Sequence, residues 1–227
     1  EHGDAMLNKG DFVAIRGISG IGKSTLMKML LGVFKPQQGT IDICLENGKT
    51  IQASPDTRCM FSYVPQGNYL FSGTIRENIL IINPNASDEE VSQALKLSEI
   101  EDFIEKLPDG LDTVIGEKGL GISEGQAQRL ALARTICHKK AVIILDDPFS
   151  ALDKDTEKQI FKNLGEMVSD SIVMIISHRL YLFPQMNKVI WLNDGKTEIG
   201  SHDELIEKCS EYALLYNGQN GGGTGEK

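Results

Sequence analysis

The stretch Gly17-Ile18-Ser19-Gly20-Ile21-Gly22-Lys23-Ser24-Thr25 decides the fold. The apolar residues 12–15 before it are typical of a short buried strand, and the mainly apolar residues 26–31 after it are typical of a helix. A strand, a glycine-rich loop and a helix in this order indicate a phosphate-binding loop. The glycines let several backbone N–H groups point at one anion, and the helix N-terminus adds partial positive charge. The sequence therefore predicts that these nine residues contact a nucleotide.

Two side chains of this loop have predicted roles in nucleotide chemistry. Lys23 is expected to reach the β- and γ-phosphates of the nucleotide, and the Ser24 hydroxyl is expected to ligate Mg²⁺. The alternative is a glycine-rich turn that contains a lysine by coincidence. The predicted strand and helix on either side favour the nucleotide site over that alternative.

Bulk composition narrows the class of protein. The 227 residues are enough for one large or two small domains, and the hydrophobic fraction of 41% is ordinary for a globular protein. The net charge is −9 and the pI is about 5.0, so the chain lacks the basic surface with which nucleic-acid binders neutralise phosphates. We therefore expect no nucleic acid among its main partners.

The four cysteines, Cys44, Cys59, Cys137 and Cys209, are widely spaced and form no CxxC pair. This usage is typical of reduced thiols and argues against a disulfide framework or a zinc site. The longest apolar runs fall far short of the roughly 18 residues that span a bilayer, so this stretch of chain is not expected to cross a membrane. It starts without Met and ends in Gly-Gly-Gly-Thr-Gly-Glu-Lys, and we expect it to be a piece of a longer protein.

Alternating strand and helix patterns predict an α/β fold, a P-loop NTPase core with a mainly parallel sheet. Further strands are predicted at residues 40–45, 49–51, 61–64, 142–146, 172–176 and 189–192, with a helix at 155–168. Two turn signals, Asn47-Gly48 and Asp194-Gly195, predict hairpins and a small antiparallel portion near the nucleotide. The spacing of Ser201 and Glu204 predicts a capping box that opens the last helix.

Helical patterns dominate the middle of the chain. They cover residues 74–80, residues 87–97 and a long amphipathic segment that begins at Ser123. These patterns predict a single domain over residues 1–217, with its core at 1–70 and 139–217 and an inserted helical subdomain at 71–138. Residues 218–227 are predicted to be a flexible tail.

A second site is predicted where the apolar run at residues 141–145 ends in Asp146-Asp147-Pro148. Ligands of α/β sheets bind at the carboxyl ends of the strands, so these acids are expected beside the phosphate loop. Asp146 is predicted to hold Mg²⁺, directly or through water, and Asp147 to orient or deprotonate an attacking water. In isolation, a solvated acidic turn would be the simpler explanation, but the upstream loop favours the functional one.

The segment Ile122-Ser123-Glu124-Gly125-Gln126 opens the long predicted helix. Ser123 and Gln126 have the spacing of a capping box, so the segment taken alone fits a well-capped helix as well as it fits a ligand site. Taken with the other motifs, it makes the chain resemble the nucleotide-binding domain of ATP-binding cassette (ABC) transporters over nearly its whole length.

The resemblance implies a role for each further motif. Gln66, after Tyr63-Val64-Pro65, matches the glutamine that senses Mg²⁺ and contacts the membrane domain. Ser123, Gly125 and Gln126 belong to the signature that closes over the γ-phosphate held by the opposite subunit. Asp153 matches the D-loop, and His178 matches the switch histidine that touches the γ-phosphate. A lone histidine is more often a surface or core residue, but its position after a predicted core strand favours the switch.

Three stretches are similar to exporter sequences: residues 113–119, 71–79 and 200–205. The resemblance thus implies an ATP- and Mg²⁺-dependent ATPase with Asp147, His178 and Gln66 as its catalytic residues. It further implies head-to-tail dimerisation, as a homo- or heterodimer, with a second such domain. The implied location is the cytoplasmic face of the cell membrane, on the transmembrane domain of an exporter.

Three departures from the family pattern bear on activity. Asp147 stands where the family usually has Glu, and it draws the carboxylate back by about one C–C bond; a catalytic base misplaced by ~1 Å loses on the order of a hundredfold in rate. Glu124 stands where the signature usually has Gly. The adenine-stacking aromatic of the family has no match, because Phe12 is the sole aromatic before Gly17 and is predicted to lie in the strand.

These departures leave two alternatives open. The first is a non-hydrolysing, regulatory ATP-binding subunit of an asymmetric transporter. The second is a soluble ABC ATPase that acts on DNA or ribosomes, a class that normally carries coiled-coil or basic insertions, and the sequence shows neither.

Overall fold

The computed structural model describes residues 4–18, 20–67, 70–116, 119–193 and 196–220. These residues form ten strands: β1 (Phe12–Gly17), β2 (Asp42–Cys44), β3 (Thr50–Gln52), β4 (Phe61–Val64), β5 (Gly73–Thr74), β6 (Val114–Ile115), β7 (Val142–Asp146), β8 (Ile172–Ile176), β9 (Lys188–Asn193) and β10 (Lys196–Gly200). They also form eight α-helices: α1 (Lys23–Leu30), α2 (Ile75–Leu80), α3 (Asp88–Leu97), α4 (Glu101–Glu105), α5 (Glu124–His138), α6 (Lys154–Met167), α7 (His202–Lys208) and α8 (Ser210–Asn220).

Six strands form the central sheet in the order β10-β9-β1-β8-β7-β4. All neighbours in this sheet run parallel except β10, which pairs antiparallel with β9 at one edge. The predicted α/β class with a mainly parallel sheet is therefore confirmed. Because the parallel strands end at the same edge, the residues that follow β1, β7 and β8 are brought side by side.

Strand β1 lies at the centre of this sheet and is buried throughout. Phe12 and Ala14 point to one face and join the larger core, which contains residues of α2, α3, α5 and α6. Val13 and Ile15 point to the other face, where Met27 of α1 packs. The continuous apolar run that predicts this strand thus reflects burial on both faces, as expected for a parallel sheet.

Residues 71–138, the predicted subdomain, contain α2 to α5 and the two-stranded sheet of β5 and β6. Three of its helices begin directly after the predicted first residues Thr74, Ser87 and Ser123, each of which accepts a hydrogen bond from the backbone N–H three residues later. Helix α5 is less amphipathic than predicted. Its second half is buried over most of its circumference because it packs against both α2 and α3 as well as β4.

The two predicted hairpins belong to different sheets. Around Asn47-Gly48, β2 and β3 pair antiparallel in a separate two-stranded sheet, as predicted. The second turn, Asp194-Gly195, lies outside the described residues, but the flanking β9 and β10 also pair antiparallel. The predicted antiparallel portion is thus present in two parts, because β9 is also bonded in parallel to β1 and its hairpin extends the central sheet.

The last described residues form two helices, where the sequence predicts one. Ser201 and Glu204 form the expected capping box at the start of α7, and the break at Cys209 separates α7 from α8. Helix α8 continues to Asn220, three residues into the predicted tail, and residues 221–227 lie outside the described part. Across the described residues, the longest helices fall short of the length and apolarity needed to span a bilayer.

Candidate functional site

The phosphate loop has the predicted geometry in its described residues. Gly17 ends β1, and a Cβ added there would lie 2.7 Å from the Leu192 carbonyl oxygen, so the loop leaves the sheet through a space that admits only glycine. Gly22, immediately before α1, has φ of 105°, a left-handed conformation that side-chain-bearing residues rarely adopt. Helix α1 then begins at Lys23, which turns its first N–H groups toward the loop. Ser19 lies outside the described residues.

Lys23 lies over the loop that it follows. Its Nζ donates to the carbonyl oxygens of Gly17 at 2.8 Å and of Ile18 at 2.9 Å. Burial and the nearby Arg16 lower the pKa of Lys23, against the opposing charge of Asp146. The ammonium group is thus held where the loop curls, within the predicted phosphate site. Ser24 and Thr25 follow on the exposed first turn of α1.

Asp146 is the last residue of β7 and lies opposite Ile176, the last residue of β8. Its Oδ2 accepts a hydrogen bond from the Tyr63 hydroxyl at 3.4 Å. Burial and the neighbouring Asp147 raise the pKa of Asp146, while Tyr63 and Lys23 oppose the shift. A divalent cation would reverse this balance, because it favours the ionised carboxylate.

The backbone of Asp147 is fixed at both ends of the residue. Its N–H donates to the Ile176 carbonyl at 2.9 Å, and its own carbonyl accepts from the Gln128 side chain at 3.1 Å. Its φ is +49°, in the left-handed region where Asp and Asn are tolerated better than longer side chains. The short carboxylate noted in the sequence therefore stands on a backbone conformation that suits aspartate.

His178 follows β8, next to β1 in the sheet, and therefore lies at the same edge as the phosphate loop. Its Nδ1 contacts Nη1 of Arg16, the residue before Gly17. Burial and the two cations Arg16 and Lys23 lower the pKa of His178, against Asp147 and Asp146. A lowered pKa favours the neutral form of the ring.

Gln66 completes this group. It is exposed and lies two residues beyond Val64, the end of β4, which pairs with Leu145 of β7. Ser24, Asp146 and Gln66 are the three predicted metal ligands, and all of them offer oxygen, the donor that Mg²⁺ prefers. Within the described residues no cluster of three His, Cys, Asp or Glu side chains has the arrangement of a metal cage. This donor set fits Mg²⁺ bound largely through nucleotide phosphates.

The signature residues form a second, separate site. Ser123 and Gln126 bond each other in a capping box. Gln126 N donates to Ser123 Oγ at 3.2 Å, and Ser123 N donates to Gln126 Oε1 at 2.8 Å. A Cβ on Gly125 would lie 2.8 Å from the Ala151 carbonyl oxygen, so the signature helix packs directly on the D-loop backbone. Glu124, one residue earlier, is exposed, which explains why a charge is accommodated at position 124 but no side chain at position 125.

Asp153 lies beside the signature residues and caps helix α6. Its Oδ1 accepts from the backbone N–H groups of Asp155 at 3.1 Å and Thr156 at 3.0 Å, and its Oδ2 accepts from the Thr156 hydroxyl at 2.7 Å. These bonds cap α6 and lower the pKa of Asp153. An open groove of about 430 Å³ runs between the signature and the D-loop, lined by Ser123, Glu124, Gly125, Arg129, Ala151, Leu152, Asp153 and Thr156.

The predicted site residues are therefore divided into two groups. The first group gathers at the carboxyl edge of the sheet and contains the phosphate loop, Gln66, Asp146, Asp147 and His178. The second contains Ser123, Gly125, Gln126 and Asp153, and the residues lining its groove include none from the first. Each group offers half of what the sequence predicts for one nucleotide site.

Three residues of functional interest have no assignment from sequence. Arg16 contacts the predicted switch histidine. Gln128 joins the two groups, because its Nε2 donates to the Asp147 carbonyl and to Ser150 Oγ while its Oε1 accepts from Ala151 N at 3.1 Å. Arg179 pairs with the fully buried Glu157 and donates to the Phe149 carbonyl at 2.7 Å. For Arg16 the available signal was a charged residue directly after the apolar run at 12–15, whereas Gln128, between Ala127 and Arg129, has no such signal.

Comparison with known proteins shows the family to which the chain is similar. The family model described as "ABC transporter" matches residues 3–150. The "ABC transporter ATM1" of Toxoplasma gondii is 40% identical over 215 residues, which are 94% of this chain and 19% of that protein. The "Putative multidrug export ATP-binding/permease protein SAV1866" of Staphylococcus aureus is also 40% identical over 94% of this chain, and 37% of its own length is covered.

A solved structure is similar over the same extent. It is titled "Structure of a bacterial Atm1-family ABC exporter with ATP bound", and it superposes with a TM-score of 0.84 at 35% identity over 96% of this chain and 38% of that one. The chain thus spans between about a fifth and two fifths of the length of these relatives.

Proposed function

The chain belongs to the ABC transporter family as a nucleotide-binding domain of exporter type, and from this premise we propose that it binds and hydrolyses ATP to power an exporter. The observation that carries the proposal is the division of the site residues between two places. A phosphate-binding edge without its signature and a signature groove without its phosphate loop complement each other only between two chains. Head-to-tail pairing with a second nucleotide-binding domain would close each ATP between one loop and the opposite signature.

The proposed chemistry at the first half-site follows from the contacts. The loop N–H groups and Lys23 bind the phosphates, and His178 hydrogen-bonds the γ-phosphate. Asp147 orients the attacking water and accepts its proton. Ser24, Gln66 and Asp146 would hold Mg²⁺, which neutralises charge on the phosphate oxygens.

A transmembrane domain is the proposed second partner, and the exporter-like stretches support it. Pairing of β5 with β6 brings residues 71–79 and 113–119 side by side, apart from Glu117 and Lys118, which lie outside the described residues. Phe71, Val114 and Leu120 are between 41% and 48% exposed in this region. Large apolar side chains grouped on a surface favour a docking site. The chain would then work at the cytoplasmic face of the membrane.

Hydrolysis is proposed to be slow at this chain's own loop, because Asp147 is shorter than the usual glutamate and its backbone is fixed by Ile176 and Gln128. A non-hydrolysing regulatory subunit is the second candidate function, and the same residue favours it. Both candidates bind ATP and pair, and they differ in turnover.

The test is ATP turnover by the purified chain, alone and with a partner domain, for wild type, Asp147→Glu and Asp147→Asn. The glutamate should raise turnover by up to about a hundredfold if carboxylate reach limits the rate, and the asparagine should abolish it. Thermal unfolding of each variant checks whether a longer side chain at positive φ destabilises the fold. An equally low turnover for all three, with MgATP binding intact, would favour the regulatory subunit. Failure of the wild type to bind MgATP would overturn both candidates.

A further inference from the structure

Arg16 is the one charged residue of β1 and the last side chain before the phosphate loop. Strand alternation places it on the same sheet face as Phe12 and Ala14, and it is only 9% exposed. A guanidinium at such a position loses most of its hydration, and its retention requires partners of matching chemistry. The partners of Arg16 therefore indicate what the residue does.

The contacts of Arg16 point at the catalytic edge. Its Nη1 contacts Nδ1 of His178, and the negative charge of Asp147 favours the charged guanidinium. Its buried Nε has no hydrogen-bond partner among the described residues, so the side chain is directed by the Nη1 contact and not by a full set of bonds. The parallel register of β1 and β8, with Ile15 opposite Ile176, fixes how far Arg16 stands from His178.

The chemistry of the contact determines the state of the ring. Arginine has five N–H donors and no acceptor, so the nitrogen that it meets must carry a lone pair. Nδ1 of His178 is then the acceptor, and the single ring proton must sit on Nε2. The Nδ1–H tautomer and the imidazolium would each direct an N–H at a guanidinium N–H and are excluded by that clash.

We propose that Arg16 is a positioning residue that holds His178 as the neutral Nε2–H tautomer, so that the nitrogen left for the nucleotide is a hydrogen-bond donor. This inference rests on the proposed function for the direction of the donor, since a γ-phosphate oxygen accepts and cannot donate. The charged groups that face His178 are Arg16 from β1, Lys23 from α1, and Asp146 and Asp147 from the end of β7. These groups are two cations and two acids, and their charges offset one another. Arg16 can therefore select the tautomer without giving the site a large net charge.

The tautomer is measured by ¹⁵N NMR of the 227-residue chain with ¹⁵N-labelled histidine, at pH 7, with His178→Gln to assign its resonances. In the wild type, Nδ1 of His178 should have the shift of an unprotonated, hydrogen-bonded acceptor and Nε2 the shift of a protonated nitrogen. Arg16→Met should move the Nδ1 resonance, and Arg16→Lys, which keeps a cationic donor, should restore it. Arg58→Met, which removes an exposed arginine that also bonds backbone carbonyls, should leave the His178 resonances unchanged.

MgATP affinity is measured on the same samples. Arg16→Met should weaken binding about tenfold, the value of one hydrogen bond to a charged group, and Arg16→Lys should recover most of it. A wild-type ring protonated on Nδ1 would overturn the inference without recourse to any variant, as would an unchanged spectrum in Arg16→Met. A wild type that shows the expected tautomer but binds no MgATP would overturn the proposed function and leave the Arg16 contact standing.

Discussion

The phosphate-loop half-site and the signature half-site are built in different ways. The first is assembled by long-range strand pairing, since β1, β7 and β8 contribute residues far apart in sequence. The second combines local bonds, namely the capping box at Ser123 and the cap that Asp153 places on α6, with one close packing contact between Gly125 and Ala151. In the first half, Lys23, Asp146 and His178 contact groups outside their own helix or strand, whereas in the second half the side chains of Ser123 and Asp153 accept from backbone N–H groups two or three residues away.

This difference indicates where each half derives its rigidity. The signature residues keep their geometry as long as α5 and α6 remain folded, because their bonds are within three residues. The catalytic residues depend on the register of the sheet. The side chain of Gln128 bonds residues of both half-sites, the Asp147 carbonyl and the Ala151 N–H. The position of the Asp147 backbone therefore depends on the signature helix.

The largest expected effect is on MgATP affinity, when only the phosphate-loop half-site is changed. Lys23→Met should weaken MgATP binding by about a hundredfold, because it removes the cation that lies over the loop. Isothermal titration calorimetry measures the affinity, with the exposed Lys49→Met as the control. Binding within threefold of wild type would contradict the assignment of Lys23 to the phosphates.

The next largest effect is expected when the hydrogen bonds of Gln128, which join the two half-sites, are removed. Gln128→Leu leaves the Ala151 N–H and the Asp147 carbonyl without their side-chain partner, which should lower the free energy of unfolding by about 2 kcal/mol. Urea denaturation measures the loss. Gln52→Leu, an exposed glutamine on β3, is the control and should cost less than about 0.5 kcal/mol. Equal losses would show that the two halves are not joined through Gln128.

A smaller effect, on ATP-dependent pairing of two chains, is expected from a change in the signature half-site alone. Gly125→Ala forces the new methyl group against the Ala151 carbonyl and should weaken ATP-dependent pairing about tenfold, with MgATP affinity of the monomer unchanged. Gly121→Ala meets open space and serves as the control. Sedimentation velocity with MgATP measures the pairing. If both alanine variants pair like wild type, the signature groove is not the contact surface.

The smallest effect is acid destabilisation, and it should distinguish the halves. The pKa of His178 is lowered in the folded chain, so its stabilising contribution is complete above the unfolded value near 6.5 and is lost as the pH falls below it. The signature groove has no histidine among its lining residues. Between pH 7.5 and 5.5, hydrogen exchange corrected for intrinsic rates should increase around residues 176–179 by at most about tenfold in total, and less around residues 123–126.

His178→Gln provides the control for this measurement, since it removes the titrating ring and should flatten the pH dependence near β8. Uniform acceleration across both halves in the wild type would instead indicate global unfolding. His138 and His202 also have lowered pKa values, so acid acts on the whole chain to some degree. The comparison between the two segments isolates the part due to His178.

Much of the fold could be predicted because its signals are local. The strands at 61–64, 142–146 and 172–176 match the structure at both ends, since each is a mainly apolar run closed by a polar residue or proline. The capping boxes at Thr74, Ser87, Ser123 and Ser201 mark helix starts through bonds that span three residues. Phe12 packs 4.9 Å from the ring of Phe161, which agrees with its predicted place in the strand and excludes it as an adenine platform.

Other features could not be predicted because they depend on distant neighbours. The break between α7 and α8 and the burial of α5 on most sides follow from packing that leaves little trace in periodicity. The contact of Arg16 with His178 joins residues 162 apart. The left-handed backbone of Asp147 is set by bonds to β8 and α5, and this conformation gives the aspartate at that position a physical reason that its identity alone lacks.

The sequence by itself determined which chemical groups the chain carries and in what order: a phosphate loop, a glutamine, a signature, paired acids and a histidine. Residue type and short spacing suffice for this, since each motif acts through its own local geometry. Only the tertiary structure decided which of these groups meet. Strand register brings the loop, the acids and the histidine to one edge and leaves the signature in another groove, because hydrogen-bonded pairing fixes distances between residues that the chain itself separates.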